Sequence, residues 1–166
     1  MAKVVFTPGN DVSTDAIYPG RYMATVLPSE TPQYAFADNK EFNTKLREGI
    51  LPPGSIIVGG KNFGCGSSRE QAVSALKGHE LVIVAKGFAR IFLQNGINLG
   101  LQMVVCPDIE ASEGDGLDIS AKEVINRTSG KRFSISPLPA ARQQIIDAGG
   151  LIPYTRKRIM AQARAD

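Results

Sequence analysis

The sequence has no tryptophan, a single histidine and only two cysteines, and each scarcity narrows the chemistry open to it. Cys65 and Cys106 cannot by themselves supply the four thiolates that an iron–sulfur cluster takes, and no Cys-x-x-Cys or His-x-x-x-His spacing occurs. The chain is therefore expected to hold no metal alone, with both cysteines reduced, small and half-buried. His79, in Gly78-His79-Glu80, reads as a surface turn residue and not as a catalyst. No apolar run approaches the roughly 20 residues that span a bilayer. The N-terminus lacks a basic segment followed by an apolar one, so a cytoplasmic protein without membrane contact is expected. The net charge is only +3. The basic run Arg156-Lys157-Arg158 has no aromatic stacking pattern beside it, so it reads as a solvated helix end and not as a nucleic-acid site.

What is present suits an ordinary globular chain. At 166 residues, 43% hydrophobic and 21% charged, it can bury a core without staples. No internal repeat, low-complexity stretch or linker divides it, so one domain over residues 1–166 is expected.

The densest signal is Gly59-Gly60-Lys61-Asn62-Phe63-Gly64-Cys65-Gly66-Ser67-Ser68-Arg69-Glu70. It follows Ser55-Ile56-Ile57-Val58, which reads as a buried strand, and precedes residues 71–77, whose apolar spacing reads as a helix. Its glycines let another molecule approach bare backbone, and Ser67 or Ser68 is placed to cap the helix. Free amides, the helix dipole and the planar fork of Arg69 favour an anion, a carboxylate above all. Familiar phosphate motifs do not fit: Ser67-Ser68-Arg69 stands where a Walker loop needs Lys and then Ser or Thr, and Arg69 stands where a dinucleotide fingerprint needs Gly. A hydrolase elbow needs Gly two residues after its serine. The expectation is a buried, positively polarised pocket at residues 64–69. On spacing alone, however, Ser67 is a helix cap and Arg69 is equally a surface ion-pair residue.

Along the rest of the chain, residues 3–6, 81–85, 103–105 and 117–119 read as strands, and 124–126 with 132–135 as a hairpin around Thr128-Ser129-Gly130. Residues 11–22 read as an ordered loop and 108–116 as an acidic one. Helices are expected over 41–48, over 88–94 with a stop at Asn95-Gly96, and over 140–148 and 155–163. Strand and helix alternate through the centre, the pattern of an α/β layer.

Four stretches in order carry a resemblance. They are Asp11-Val12-Ser13-Thr14-Asp15-Ala16-Ile17-Tyr18-Pro19-Gly20-Arg21-Tyr22, then Gly64 to Glu70, then Phe88-Ala89-Arg90-Ile91-Phe92 with Asn95-Gly96-Ile97-Asn98-Leu99-Gly100-Leu101, and finally Ala148-Gly149-Gly150-Leu151. Together they resemble the aconitase swivel-domain family over nearly the whole chain, in particular the small subunits of 3-isopropylmalate dehydratase and its relatives. The resemblance implies an α/β fold of the swivelling three-layer β/β/α type. It also implies a hydro-lyase that isomerises 2-isopropylmalate, or a related 2-alkylmalate, to the 3-isomer by dehydration and rehydration, in leucine biosynthesis. Such a chain works only with a large subunit, which carries the 4Fe–4S cluster, and its substrate is a small dicarboxylate.

Carried over residue by residue, the resemblance makes Ser67 the base, Ser68 a hydrogen-bonding group for the substrate and Arg69 the fork on a substrate carboxylate. Asp15 would orient the serine or arginine of the glycine loop, Asn62 would hold that loop, and Arg21 would touch substrate or partner. Tyr22-Met23-Ala24-Thr25-Val26-Leu27 resembles the loop that tells substrates apart, with Ala24 and Thr25 facing the substrate. Homoaconitase-like members carry arginine in the third place; Ala24 leaves a third carboxylate without a counter-charge and suits an alkyl group. Gln71 stands where members commonly have His, which counts against a proton donor at that position. Asn95 and Asn98 either hold loops or line the site. Two other readings stay open: a homoaconitase small subunit acting on a tricarboxylate, and a non-catalytic anion-binding module.

Overall fold

A computed structural model describes residues 1–165. Four parallel strands, β1 (Ala2–Gly9), β2 (Ile56–Gly59), β3 (Val82–Ala85) and β4 (Gln102–Val105), lie in the order β4-β3-β2-β1. The other side of β1 receives β5 (Gly116–Ile119) antiparallel, and β6 (Glu123–Asn126) and β7 (Arg132–Ser134) continue from it as a meander. The sheet then folds back on itself. Beyond β7 the Ser136 amide donates to the Val105 carbonyl at 2.8 Å, and the Cys106 thiol donates to the Ser134 carbonyl at 3.4 Å.

Strand alternation explains the layering. Ile56, Val58 and Val84 point to one side and pack with Val4, Cys106, Ile109, Leu117 and Val124, filling the space between the parallel strands and the β5–β7 meander. Ile57, Ile83, Ala85 and Met103 point the other way, toward helices α2 (Lys40–Arg47), α3 (Glu70–Gly78), α4 (Arg90–Leu99) and α5 (Ala140–Asp147). In α3 the residues Ala72, Val73, Ala75 and Leu76 make the buried stripe. The result is a three-layer β/β/α arrangement, as expected. The short α1 (Thr14–Ile17) lies beside the end of β1, and α6 (Leu151–Ala163) packs on the outside with no buried residue.

Several element boundaries differ from expectation for identifiable reasons. Residues 11–22 contain α1, started by Ser13, whose Oγ accepts the Ala16 amide at 3.0 Å. The helix expected to stop at Asn95-Gly96 runs on to Leu99. Gly96 is a packing residue, since a Cβ there would lie 2.4 Å from the Met103 methyl, and the left-handed stop falls at Gly100 with φ 75°. Neither Ser67 nor Ser68 caps α3; Arg69 occupies the N-cap position without a side-chain bond. Helix α6 begins at Leu151, because Pro153 falls in a first turn whose amides have no helical partner. At the far ends of the helices, the Lys77 ammonium of α3 donates to the Leu99 carbonyl of α4 and, at 2.8 Å, to the Gly149 carbonyl just past α5.

Candidate functional site

The glycine loop after β2 is stitched to the segment after β1. Gly60 donates to Gly9 at 2.8 Å, Asp11 to Lys61 at 2.9 Å, Gly64 to Val12 at 2.7 Å and Thr14 to Cys65 at 2.8 Å, all through backbone groups. On its other side the loop is tied to the start of α4 by Phe63 N–H to Gly87 and Ala89 N–H to Phe63, both at 2.9 Å. Gly64 has φ +83°, and a Cβ there would stand 2.1 Å from the Phe92 ring, so only glycine fits between these walls.

Held in this way, Ser67, Ser68 and Arg69 line one cleft of about 210 Å³ together with Thr14, Arg90 and Asn95. The first turns of α3 and α4 both lie beside it. Thr14, only 3% exposed, donates its hydroxyl to the Ser67 carbonyl at 2.7 Å and so sets the backbone that carries the serine. The Asn95 amide donates to the Ser68 hydroxyl at 3.4 Å. Arg69 is mostly buried. Its Nη1 pairs with Asp15 and donates to the Tyr18 carbonyl at 3.0 Å. The same Asp15 oxygen accepts the Gly20 amide at 2.9 Å. The Arg69 hydrogen bond first, and the Gly20 amide second, hold the Asp15 carboxyl below the usual carboxylate range. The Nε and Nη2 hydrogens of Arg69 make no hydrogen bond among the described residues.

One feature departs from the expected buried pocket: Ser67 and Ser68 are exposed, so the cleft is an open concavity. Chemically it offers a hydroxyl, an oriented guanidinium, a second hydroxyl and the positive ends of two helices, a set that suits a small anion.

The other expected residues lie elsewhere. Arg21 pairs with Asp38 at 2.6 Å and stacks over the Tyr22 ring at 4.6 Å, outside the cleft wall. Ala24 is exposed and Thr25 half-buried, and neither lines the cleft. Their loop is tied down by the Tyr18 hydroxyl to the Thr25 carbonyl at 3.3 Å and by the Gln71 amide to the Met23 carbonyl at 3.3 Å. Asn62 holds the loop at its other end, in a left-handed conformation (φ 58°), donating to Asp11 at 3.0 Å; it reaches neither Ser67 nor Arg69. His79 is half-buried with Nε2 at 2.8 Å from the Pro32 carbonyl. Of the two asparagines left open by the sequence, Asn95 lines the cleft, whereas Asn98 accepts from Gln94 at 3.1 Å. Thr14 and Arg90 were not singled out by sequence reasoning, although both lie inside the stretches that carry the resemblance.

Cys106 is fully buried between the sheet layers, where desolvation pushes its thiol up to about 11. Among the described residues no three His, Cys, Asp or Glu side chains form a metal-binding group, and no helix is long and apolar enough to cross a membrane.

Comparison with known proteins supplies the lineage. Residues 12–108 match the aconitase C-terminal domain family. The 3-isopropylmalate dehydratase small subunit of Methanosarcina mazei is 44% identical over 156 residues, covering 91% of this chain and 93% of the relative. The isopropylmalate/citramalate isomerase small subunit of Methanocaldococcus jannaschii is 43% identical over 157 residues, 91% of this chain and 90% of that one. The crystal structure of 3-isopropylmalate dehydratase from Methanocaldococcus jannaschii matches with a TM-score of 0.88 at 36% identity, covering 99% of this chain and 98% of that chain. The sheet order, the stitched glycine loop and these matches agree, and the chain belongs to the aconitase C-terminal domain family, in its branch of 3-isopropylmalate dehydratase small subunits.

Proposed function

We propose that residues 1–166 act as one swivel domain, the small subunit of a cytoplasmic hydro-lyase that converts 2-isopropylmalate, or a closely related 2-alkylmalate, to its 3-isomer in leucine biosynthesis. The observation that carries this reading is the shared cleft of Ser67, Ser68 and Arg69, with Arg69 held in place by Asp15.

The reaction removes water to give an alkene and adds it back in the opposite sense, so the hydroxyl moves to the neighbouring carbon. Its hard step is loss of a proton from a carbon whose carbanion is poorly stabilised, and that step needs a strong base. Ser67, as an alkoxide, takes this proton. First-turn amides of α3 and the adjacent guanidinium lower the cost of the negative charge. Because Ser67 is exposed in the free chain, full strength requires a second surface to close the cleft and exclude water. Ser68, already oriented by Asn95, hydrogen-bonds the substrate, and the Nε and Nη2 edge of Arg69 grips one carboxylate. The closing surface is the large subunit, whose 4Fe–4S cluster supplies Lewis-acid assistance to the departing hydroxyl. Ala24 brings no positive charge to the neighbouring loop, which favours an alkylmalate over a tricarboxylate.

The test is co-purification with the large subunit followed by assay on 2-isopropylmalate and on homoaconitate. Turnover of the tricarboxylate without the alkylmalate would refute the substrate assignment. In the same complex Ser67→Ala is expected to lower kcat by about 10²–10⁴ while assembly survives, the range for loss of a general base. Retained turnover would take Ser67 out of the base role, whereas failure to co-purify with any large subunit would favour a non-catalytic anion-binding module.

A further inference from the structure

Helix α6 presents its apolar side to solvent. Among the described residues ten large hydrophobic side chains are exposed, and four of them, Leu151, Ile152, Ile159 and Met160, belong to this one helix of 13 residues. A surface helix ordinarily turns such side chains inward. Here Tyr154, Lys157, Arg158 and Ala161 take the side toward α5, beside Asp147, and the Arg158 guanidinium lies over the Tyr154 ring at 5.8 Å. Ile152 and Ile159 are two turns apart, about 10 Å along one line of the helix, with Met160 next to Ile159. These three are 72%, 60% and 54% exposed. Apolar surface concentrated in this way marks a place where another molecule sits.

The chemistry of the occupant follows from Arg156. It lies one turn from Ile152 on one side and one turn from Ile159 and Met160 on the other, so the apolar patch surrounds a cation. Arg156 is exposed, and among the described residues no carboxylate pairs with it. No acidic side chain occurs anywhere along α6. A second copy docked on the same face would bury Arg156 against apolar side chains and another arginine, and a buried cation without a carboxylate is strongly destabilising. A bilayer would receive three side chains, too little apolar area for stable attachment. A protein surface that is apolar and offers one carboxylate meets both demands, with Arg156 as the central charged contact. Resting on the function proposed above, we propose that this face of α6 docks on the large subunit at such a surface. Gly150, at the root of α6, abuts the Asn98 carbonyl at the far end of α4, a helix about 15 Å long whose start flanks the cleft. Helix α6 is therefore an anchor apart from the surface that closes over Ser67, and it holds the complex together while the cleft opens to exchange substrate and product.

Ile152→Asp, Ile159→Asp and Arg156→Glu are made in this chain, and each variant is titrated with the cluster-bearing large subunit while turnover of 2-isopropylmalate is followed. Each is expected to raise the Kd for the large subunit by roughly 30-fold or more, the size of a central interface contact, with kcat at saturating large subunit nearly unchanged. Arg156→Lys should recover part of the loss seen with Arg156→Glu. Because these side chains are exposed, the urea midpoint of the free chain should stay at its wild-type value. A variant that unfolds would show that its side chain is not at the surface and would overturn the docking face, as would an unchanged Kd. A free wild-type chain that sediments as a dimer and is split by Ile159→Asp would give the face to a second copy, and binding to phosphatidylserine vesicles that the same variant loses would give it to a bilayer; either result overturns the assignment. If the wild-type chain itself forms no complex with the large subunit, the functional reading falls and this inference with it. If it forms one that the variants form equally well, only the docking face falls.

Discussion

Asp15 shows how much of this site depends on single contacts. Its carboxylate holds the Arg69 guanidinium on one side and the Gly20 amide on the other, and a Cβ on Gly20 would stand 3.4 Å from both Arg69 and Asp15. Because these bonds lower the pKa of the folded state beneath the unfolded value, ionised Asp15 contributes stability that is present above the unfolded pKa and lost as pH falls through the folded one. The contribution is modest, since Asp15 is exposed and screened by solvent. A carboxyl NMR titration should place the Asp15 midpoint below its reference value of 3.8, and Asp15→Asn should raise KM of the assembled enzyme by freeing Arg69. A midpoint at or above the reference value would show that the pair does not form in solution. At this scale the glycine loop was legible because its residue types are unusual in themselves. Thr14 was not, because its bond to Ser67 joins positions 53 apart and leaves no trace in local spacing. Arg90 escaped notice for a different reason: a lone arginine at a helix start looks like ordinary surface charge until the cleft beside it is seen.

Among the elements, the turn from β2 into α3 is the most demanding. Gly64 combines a left-handed φ with direct contact on the Phe92 ring, so Gly64→Ala adds backbone strain to overpacking. The expected loss is about 2–5 kcal/mol, read as a shift in the urea midpoint at constant slope. A change below about 0.5 kcal/mol would mean that the loop relaxes freely and is not pinned by Phe92. Strands and most helices were readable from apolar runs and periodicity. The end of α4 was misread because Asn-Gly is a good stop by propensity, and tertiary packing overrode it: Gly96 accommodates Met103, and the stop falls instead at Gly100, whose Cβ would meet the Gly149 backbone at 2.3 Å. The serine cap was misread for a related reason, since Thr14 holds the Ser67 carbonyl and Arg69 itself, still extended, takes the N-cap position.

Taken whole, the molecule separates its chemistry from much of its stability. The cleft lies on the helical side, whereas the core between the two strand layers contains no cleft residue. Ile56→Ala, in that core and fully buried, is expected to cost about 2–5 kcal/mol in urea unfolding. It should leave kcat of the assembled enzyme unchanged at temperatures where the variant stays folded; a parallel fall in kcat would show that the layers are coupled. The layering was legible in outline from the alternation of strands and helices, but the return of β7 to the edge of β4 was not, since one backbone bond from Ser136 to Val105 has no sequence signature. A further consequence follows from Lys77. The jaws of the cleft are the starts of α3 and α4, and the opposite ends of both helices meet at this one ammonium, whose residue lies about 10 Å from the start of α3 along its axis. Neutralising that ammonium, remote from any substrate, would remove a tie between the far ends of the two helices whose starts flank Ser67.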